Sequence, residues 1–454
     1  MDRGPIVSVL VPTENRHRFI PRVIRQFMQQ TFDDEMELVI HDSTFRPYPM
    51  ELTERDRRKI VYVHAPETIP IGKKRNLLHE LSMGQYIVWM DDDDVYHDTY
   101  VSECVRALSA NPEVPKIAKI ARTPNTIMYK VDTAKYWNMN RIHKKGCINS
   151  AMGYHRDFLR AHKYSNHDVA HEEKYFTANY TAPVCDMDTK LVGVHVVHPQ
   201  NTANKNRKGD PIEEQSLSAT EVIDLHTCFP VLYWINLRTR KDRYNSFTHR
   251  INDSILQEHV LARCDAGDVR FDSSKCSTKE IACFLSHIKA MKTYLENEVD
   301  HCPFAVVCED DLIVTHPKRF YEQLFYYRTS APPDWEVLQL HRIRINREER
   351  YTKSLHWSEW DPYMFSTAMY LIQRDAAKKM VHEFDNTADL TAEGRVVADN
   401  TIFSRLRTYS ADFPYFQTNH LSPSDINKRH ADLQKANNRL IKSSSNRSPY
   451  PFES

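Results

Sequence analysis

Two short apolar runs, each ending abruptly in carboxylates, punctuate this chain. Tyr86-Ile87-Val88-Trp89-Met90 leads into Asp91-Asp92-Asp93-Asp94, and Phe304-Ala305-Val306-Val307-Cys308 leads into Glu309-Asp310-Asp311-Leu312. Neither run alternates apolar with polar residues, so each predicts a strand buried on both faces of a parallel sheet. The carboxylates then fall just past the C-terminal ends of their strands, where open α/β sheets place their ligand crevice. Strands at 6–11, 37–40 and 60–63 precede the first acidic one. Asn15 is placed to cap a helix carrying Phe19, Ile20, Val23, Ile24, Phe27 and Met28 at helical spacing, and Leu77, Leu78 and Leu81 mark a second helix. Strand, helix, strand, strand, helix, strand is an α/β pattern. The later half repeats it, with a strand at 231–235, a helix from about Thr278 carrying Ile281, Leu285, Ile288, Met291 and Leu295, a helix near 318–327, and strands at 336–340 and 368–372. Two acid-tipped strands predict two domains of one architecture.

The segment between the halves is polar, which predicts an exposed linker over 205–229 between domains at 1–204 and 230–430. A polar, Ser- and Pro-containing tail at 431–454 is expected to be poorly ordered. The 454 residues leave room for these domains, and Lys plus Arg equals Asp plus Glu at 61 each, so no global field draws nucleic acid or a membrane surface. Nine Gly against 23 Pro, with no G-x-G-x-x-G or Walker sequence, argue against Gly-rich phosphate loops. Nine scattered cysteines without zinc spacing fit a reducing compartment. No signal-peptide pattern follows Met1 and no apolar run reaches a membrane span, so a cytoplasmic location is expected.

An isolated acidic run is ordinarily a solvated turn. Aimed by a buried strand, adjacent carboxylates repel one another and make a cation their natural partner, a hard ion such as Mn²⁺ or Mg²⁺. His167 and His171 could share a helical face, but no H-E-x-x-H accompanies them, which leaves a zinc hydrolase as a weak rival.

Val9-Leu10-Val11-Pro12-Thr13-Glu14-Asn15-Arg16, Asp42, Gly72-x-x-Arg75-Asn76 and Asp91-x-Asp93-Asp94 resemble, in order and spacing, the inverting sugar transferases of glycosyltransferase family 2. The resemblance covers roughly the first two hundred residues and implies a GT-A fold, a Rossmann-like α/β fold that binds a nucleotide sugar. It implies that Thr13 and Asp42 hold the base and ribose, that Arg75 lies near the nucleotide, and that Asp91 and Asp93 form a metal-binding DxD. It places the acceptor's base at Glu172 or Glu173, and both also read as ordinary first-turn helix acids. His198 fits a third metal ligand and equally a surface loop histidine. Glu14 and His41 depart from the family pattern.

The later half resembles glycosyltransferase family 25, which includes lipooligosaccharide and collagen galactosyltransferases. Ile235-Asn236-Leu237 with Arg240-x-Asp242-Arg243, Leu285-Ser286-His287, Glu309-Asp310-Asp311 and Ser424-Asp425-Ile426 carry that resemblance. It implies a second GT-A-like domain with a UDP-sugar donor, galactose being commonest, with Arg240 and Arg243 suited to the diphosphate, Glu309 and Asp311 to the metal, and Asp399 a further donor-site candidate. Ser286 and His287 are expected to be structural, satisfying nearby backbone. The combined expectation is a metal-dependent bifunctional transferase acting on a glycan or glycoprotein acceptor, the product being a microbial or viral glycan. The rival is one catalytic domain beside a glycan-binding module.

Overall fold

The computed structural model describes residues 6–50, 53, 59–110, 115, 119–140, 146–167, 172–198, 201, 210–213, 216–252, 261–265, 276–314, 319–344, 355–384, 396–412 and 416–418. The chain divides into two compact units, Met1–Glu221 and Val222–Ser454. The tail at 431–454 and Ser424-Asp425-Ile426 lie outside the described residues.

The first unit runs β1 (Val7–Thr13), α1 (Ile20–Met28), β2 (Met36–Asp42), β3 (Ile60–His64), α2 (Ile71–Leu81), β4 (Tyr86–Trp89), β5 (Val95–Tyr96), α3 (Tyr100–Ser109), β6 (Ile120–Arg122), β7 (Asn125–Lys130), β8 (Lys135–Asn140), β9 (Met152–His155), α4 (Glu172–Phe176), β10 (Val184–Asp186), β11 (Gly193–Val197) and β12 (Asp210–Ile212). Its main sheet has the order β10-β6-β9-β4-β1-β2-β3, beside a sheet β12-β8-β7-β11-β5. Strands β3, β2, β1 and β4 are parallel, and β9 pairs antiparallel with β4. Because side chains alternate along a strand, each central strand feeds two cores. Val7, Val9 and Val11 of β1 and Val88 of β4 pack with Ile20, Val23, Phe27 and Val101 on one face. Leu10 of β1 and Ile87 and Trp89 of β4 pack with Leu78, Tyr154 and Phe176 on the other. That double burial is why the sequence of β4 shows no alternation.

Three local expectations change. Asn15 caps no helix: it sits at φ 55°, its amide donating to Thr44 Oγ1 at 2.7 Å, in a left-handed conformation that asparagine tolerates. In α2, Leu78 is buried but Leu81 is 37% exposed, while Lys74 and Arg75 are 3% exposed. The helix thus turns cations inward. Within the stretch expected as linker, 210–212 form β12, paired antiparallel with β8, and α5 (Ala219–Cys228) follows. Ser218 and Glu221 cap that helix reciprocally, at 3.3 and 2.7 Å, a capping-box signal present in the sequence.

The second unit runs β13 (Leu232–Asn236), α6 (Lys241–Asn252), β14 (Leu261–Asp265), α7 (Thr278–Glu296), β15 (Phe304–Glu309), β16 (Leu312–Val314), α8 (Phe320–Ser330), β17 (Val337–Gln339), β18 (Ile343–Arg344), β19 (Trp357–Glu359), β20 (Met364–Phe365), β21 (Met369–Gln373), α9 (Arg374–Phe384), α10 (Ala398–Arg405), β22 (Thr408–Ala411) and β23 (Phe416–Thr418). Its main sheet is β14-β13-β15-β21-β17-β22-β19. Strands β14, β13 and β15 are parallel and β21 pairs antiparallel with β15, the same local plan as β2, β1, β4 and β9. Helix α7 opens with a Ser277–Glu280 capping box and buries Ile281, Phe284, Ile288 and Met291 against Tyr233, Val307 and Tyr370.

Candidate functional site

In the first unit, β1, β2 and β4 end side by side, which gathers Thr13, Asp42 and the run at 91–94 at one edge of the sheet. The four acids are not left to repel one another until a cation arrives, as the sequence suggested. Asp91 Oδ1 meets Arg75 Nη2 at 3.1 Å. Asp92 accepts from Thr13 Oγ1 at 2.6 Å and from Arg16 Nη1 at 3.0 Å. Asp93 Oδ2 accepts from Arg16 Nη1 at 2.7 Å and lies 2.9 Å from His198 Nε2. Asp94 accepts from the Val196 amide at 2.9 Å and lies 3.0 Å from His195 Nδ1. Long-range cations and dipoles supply the compensation that the sequence reading assigned to a metal alone.

The environment then separates the acids. Burial pushes Asp91 up to about 7 against the pull of Arg75, with Asp94 and Asp93 adding to the rise. Burial also works against ionised Asp93, but Arg16 and His198 outweigh it and hold that carboxyl well below its usual range. Burial brings His198 down to about 4, which keeps its ring neutral near pH 7.

Arg75 is the hinge of the site. Its Nε donates to Glu172 Oε1 at 2.8 Å, its Nη2 to Asp91, and its guanidinium lies 4.5 Å from the Trp89 ring centroid. Glu172 Oε1 also accepts from Asn149 Nδ2 at 2.8 Å, and Asn149 is held by the Tyr164 hydroxyl at 2.7 Å. Glu172 is 6% exposed, whereas Glu173 is only partly buried. Thr13 and Asp42 are turned to protein partners. Asp42 accepts from Tyr62 at 2.6 Å and from the Thr44 amide at 2.8 Å and lies 2.8 Å from His17 Nε2. Against the penalty of burial, those partners hold Asp42 down to about 2. Of the expected metal set, the fold brings Asp93 and His198 together, while Asp91 turns to Arg75. His171, half of the weak zinc pair, lies outside the described residues.

In the second unit, Asn236 at the end of β13 donates to Asp310 Oδ2 at 2.7 Å, and Arg243 Nη1 reaches Asp310 Oδ1 at 3.0 Å. Arg243 therefore stands at the acidic turn. Arg240 instead forks onto Asp242 at 2.9 and 2.8 Å. Asp399, at the start of α10, accepts from the Ser366 amide at 3.1 Å. Ser366 holds φ 110°, a strained conformation for a residue with a Cβ and the kind of backbone cost that functional sites retain. Glu309 accepts from Thr367 Oγ1 at 2.8 Å and lies 3.6 Å from His287 Nε2. Ser286 is structural as expected, back-bonding to the Ala282 carbonyl at 2.6 Å. His287 does not satisfy backbone: its Nδ1 lies 3.1 Å from the Tyr370 hydroxyl and its Nε2 faces Glu309. Among the described residues, one group of three potential ligand side chains converges within 4.8 Å, and it is Cys283, His287 and Glu309 rather than Glu309 with Asp311.

Several of these residues carried no role in the sequence reading. Asn149 and Tyr164 had no signal. Arg16 stood inside the quoted motif, and the i, i+4 spacing of Cys283 and His287 on a helix was legible.

Residues 8–162 match the family described as Glycosyl transferase family 2, and residues 229–393 match Glycosyltransferase family 25 (LPS biosynthesis protein). Procollagen galactosyltransferase 2 of Mus musculus is 25% identical over 175 residues, covering 34% of this chain and 27% of that protein. The putative colanic acid biosynthesis glycosyl transferase WcaA of Escherichia coli (strain K12) is 26% identical over 96 residues, 21% of this chain and 34% of that one. The matches thus span only about a third or less of the curated relatives' own length. The crystal structure of S. aureus TarS aligns over 43% of this chain and 37% of its own at 17% identity, with a TM-score of 0.34, too low to bear on the argument. Among the described residues, no helix is long and apolar enough to cross a membrane. The chain therefore carries two family matches in tandem, Glycosyl transferase family 2 at residues 8–162 followed by Glycosyltransferase family 25 at residues 229–393.

Proposed function

We propose that the chain is a bifunctional glycosyltransferase, each unit moving a sugar from a nucleotide-diphosphate donor to a glycan or glycoprotein acceptor. UDP-sugars are the donors, with galactose the sugar of the second unit, in keeping with that unit's family 25 match and with the chain's similarity to a procollagen galactosyltransferase. The observation that carries the reading is the Glu172–Arg75–Asp91 chain, which ties a buried carboxylate beside Glu173 to the first acid of the DxD at the C-terminal edge of a parallel sheet.

The DxD residues fit a divalent ion in one respect that the geometry allows to be tested. Asp93 Oδ2 and neutral His198 Nε2 are 2.9 Å apart, close to the roughly 3 Å between adjacent ligands of an ion bound at about 2.1 Å. Asp91, Asp93 and His198 would hold Mn²⁺ or Mg²⁺, Arg16 giving up its place on Asp93. Such an ion would act as a Lewis acid, neutralising charge on the departing diphosphate. The protein's own part is positional. Arg75, fixed between two acids and stacked on Trp89, lends positive charge beside the phosphates, and Asp42, held by His17 and Tyr62, supports the nucleotide end. Glu172 is occupied by Arg75 and Asn149, so we assign it to positioning and assign the base to the more exposed Glu173. The acceptor hydroxyl passes its proton to that carboxylate as its oxygen bonds to the anomeric carbon, and the nucleoside diphosphate leaves with the electron pair of the broken bond.

In the second unit, Asp311 is the acid assigned to the donor's cation, Glu309 being turned to Thr367 and His287, and Arg243 is the diphosphate contact, with Asp399 a donor-side carboxylate. The test is UDP release from a panel of UDP-sugars with Mn²⁺, with and without EDTA, in the wild type and in Glu173→Gln, Glu172→Gln and Asp311→Asn. Glu173→Gln should retain UDP binding and lose about a hundred- to ten-thousand-fold in transfer by the first unit. If Glu172→Gln loses transfer while Glu173→Gln keeps it, the two roles are exchanged. If Asp311→Asn leaves every product unchanged, the second unit is a glycan-binding module.

A further inference from the structure

We propose that Cys283, His287 and Glu309 form a site for a thiophilic divalent ion of the Zn²⁺ type, with three protein ligands and an open fourth position. Cys283 and His287 stand one turn apart on α7, so both project from one face of the helix, and that face meets the C-terminal end of β15 where Glu309 sits. One ligand atom from each residue lies within 4.8 Å of the other two. Ligands about 2.0–2.3 Å from one tetrahedral ion are separated by roughly 3.3–3.8 Å, so the group needs only side-chain adjustment to close.

The second observation concerns the imidazole. His287 is 0% exposed, yet its Nε2 has no hydrogen-bond partner and points at Glu309 from 3.6 Å. A buried polar atom in that condition is costly unless something else satisfies it. Its other nitrogen, Nδ1, is held by the Tyr370 hydroxyl at 3.1 Å, the arrangement that orients a metal-ligating histidine. Glu309 is fixed in turn by Thr367 Oγ1 at 2.8 Å, so two of the three ligands have an outer partner.

Donor chemistry selects the ion. A paired-carboxylate site takes hard ions such as Mn²⁺ and Mg²⁺, whereas a thiolate with an imidazole and one carboxylate favours Zn²⁺. The inference does not depend on the second unit transferring sugar, because it stands on the ligand set and is read by metal binding.

The experiment uses the full chain, stripped with a chelator and then titrated with ZnSO₄ or CoCl₂. One equivalent of Co²⁺ should give thiolate-to-cobalt charge-transfer absorption, which ZnSO₄ should abolish by displacement. Cys283→Ser should lose that absorption, while Cys185→Ser, in the first unit, should keep it. Tyr370→Phe, which removes the Nδ1 partner, should retain the absorption and weaken Zn²⁺ binding by about 10- to 100-fold. Melting of each metal-free variant separates lost ligation from lost folding, and Glu309→Gln offers a ligand change that leaves the helix untouched. Co²⁺ bound without thiolate absorption, unchanged Zn²⁺ affinity in both Cys283→Ser and Glu309→Gln, or binding of Mn²⁺ in preference to Zn²⁺ at this site would each overturn the proposal. Loss of UDP release with the cobalt spectrum intact would instead count against the second unit's transferase reading.

Discussion

Replacing Arg75 by methionine tests whether the first site is held together by one buried cation. Arg75 is 3% exposed and Glu172 6%, so solvent screens their 2.8 Å contact little. Methionine keeps most of the stem that packs on Trp89 but leaves Glu172 with its hydrogen bond from Asn149 and leaves Asp91 without its guanidinium. Removing one member of a buried pair costs about 3–5 kcal/mol, because the survivor stays buried and charged. Glu172→Gln keeps the shape and removes that charge. In the double variant, the strongest part of the penalty disappears, so its loss should fall short of the sum of the single losses by about 1–3 kcal/mol. Urea unfolding of the four proteins at fixed slope gives the totals, and hydrogen exchange of the β4 and α4 amides reads the first unit separately from the second. If the two single losses add to within about 0.5 kcal/mol of the double loss, Arg75 and Glu172 are not coupled and the chain from Glu172 to the DxD is not a unit.

Three further outcomes follow from the same geometry. His79, which lies 2.6 Å from the Tyr154 hydroxyl, is pushed by burial down to about 3 from an ordinary 6.5, with Arg156 and Arg75 adding to the fall. The unfolded chain therefore binds the extra proton between those values, so this contribution is complete above pH 6.5, declines as pH falls toward 3, and amounts to roughly 5 kcal/mol; His79→Gln should flatten that acid limb in a pH series of urea melts. Gly153→Ala should destabilise the first unit by about 1–3 kcal/mol without altering its residual transfer chemistry, because a Cβ there would run into Cys104 Sγ and the Ile87 carbonyl; thermal melts and UDP release check both halves of the statement. Asp93→Asn should weaken the metal-free protein, measured in EDTA, since it takes a charge from Arg16 at 2.7 Å and His198 at 2.9 Å; a neutral or stabilising effect would mean that like-charge repulsion dominates the run after all.

Much of the site's address lies in local sequence. The runs 86–90 and 304–308 have to be strands buried on both faces, because each presents apolar side chains in both directions, and they deliver their acids to the C-terminal edge of a parallel sheet whatever the rest of the chain does. The helices α1 and α7 follow from period and, for α7, from the Ser277–Glu280 cap. What each acid does there is a matter of partners far away in sequence. Arg75 reaches Glu172 across 97 positions, Asp93 meets His198 across 105, and Asp310 meets Arg243 across 67. The burial of Lys74 and Arg75, on a helix whose leucines predicted an apolar face, has the same origin. Hydrophobic period is set within one turn or one pleat and can be read directly, whereas the charge state and orientation of a buried carboxylate depend on which cation the tertiary fold brings within about 3 Å, and only the folded chain decides that.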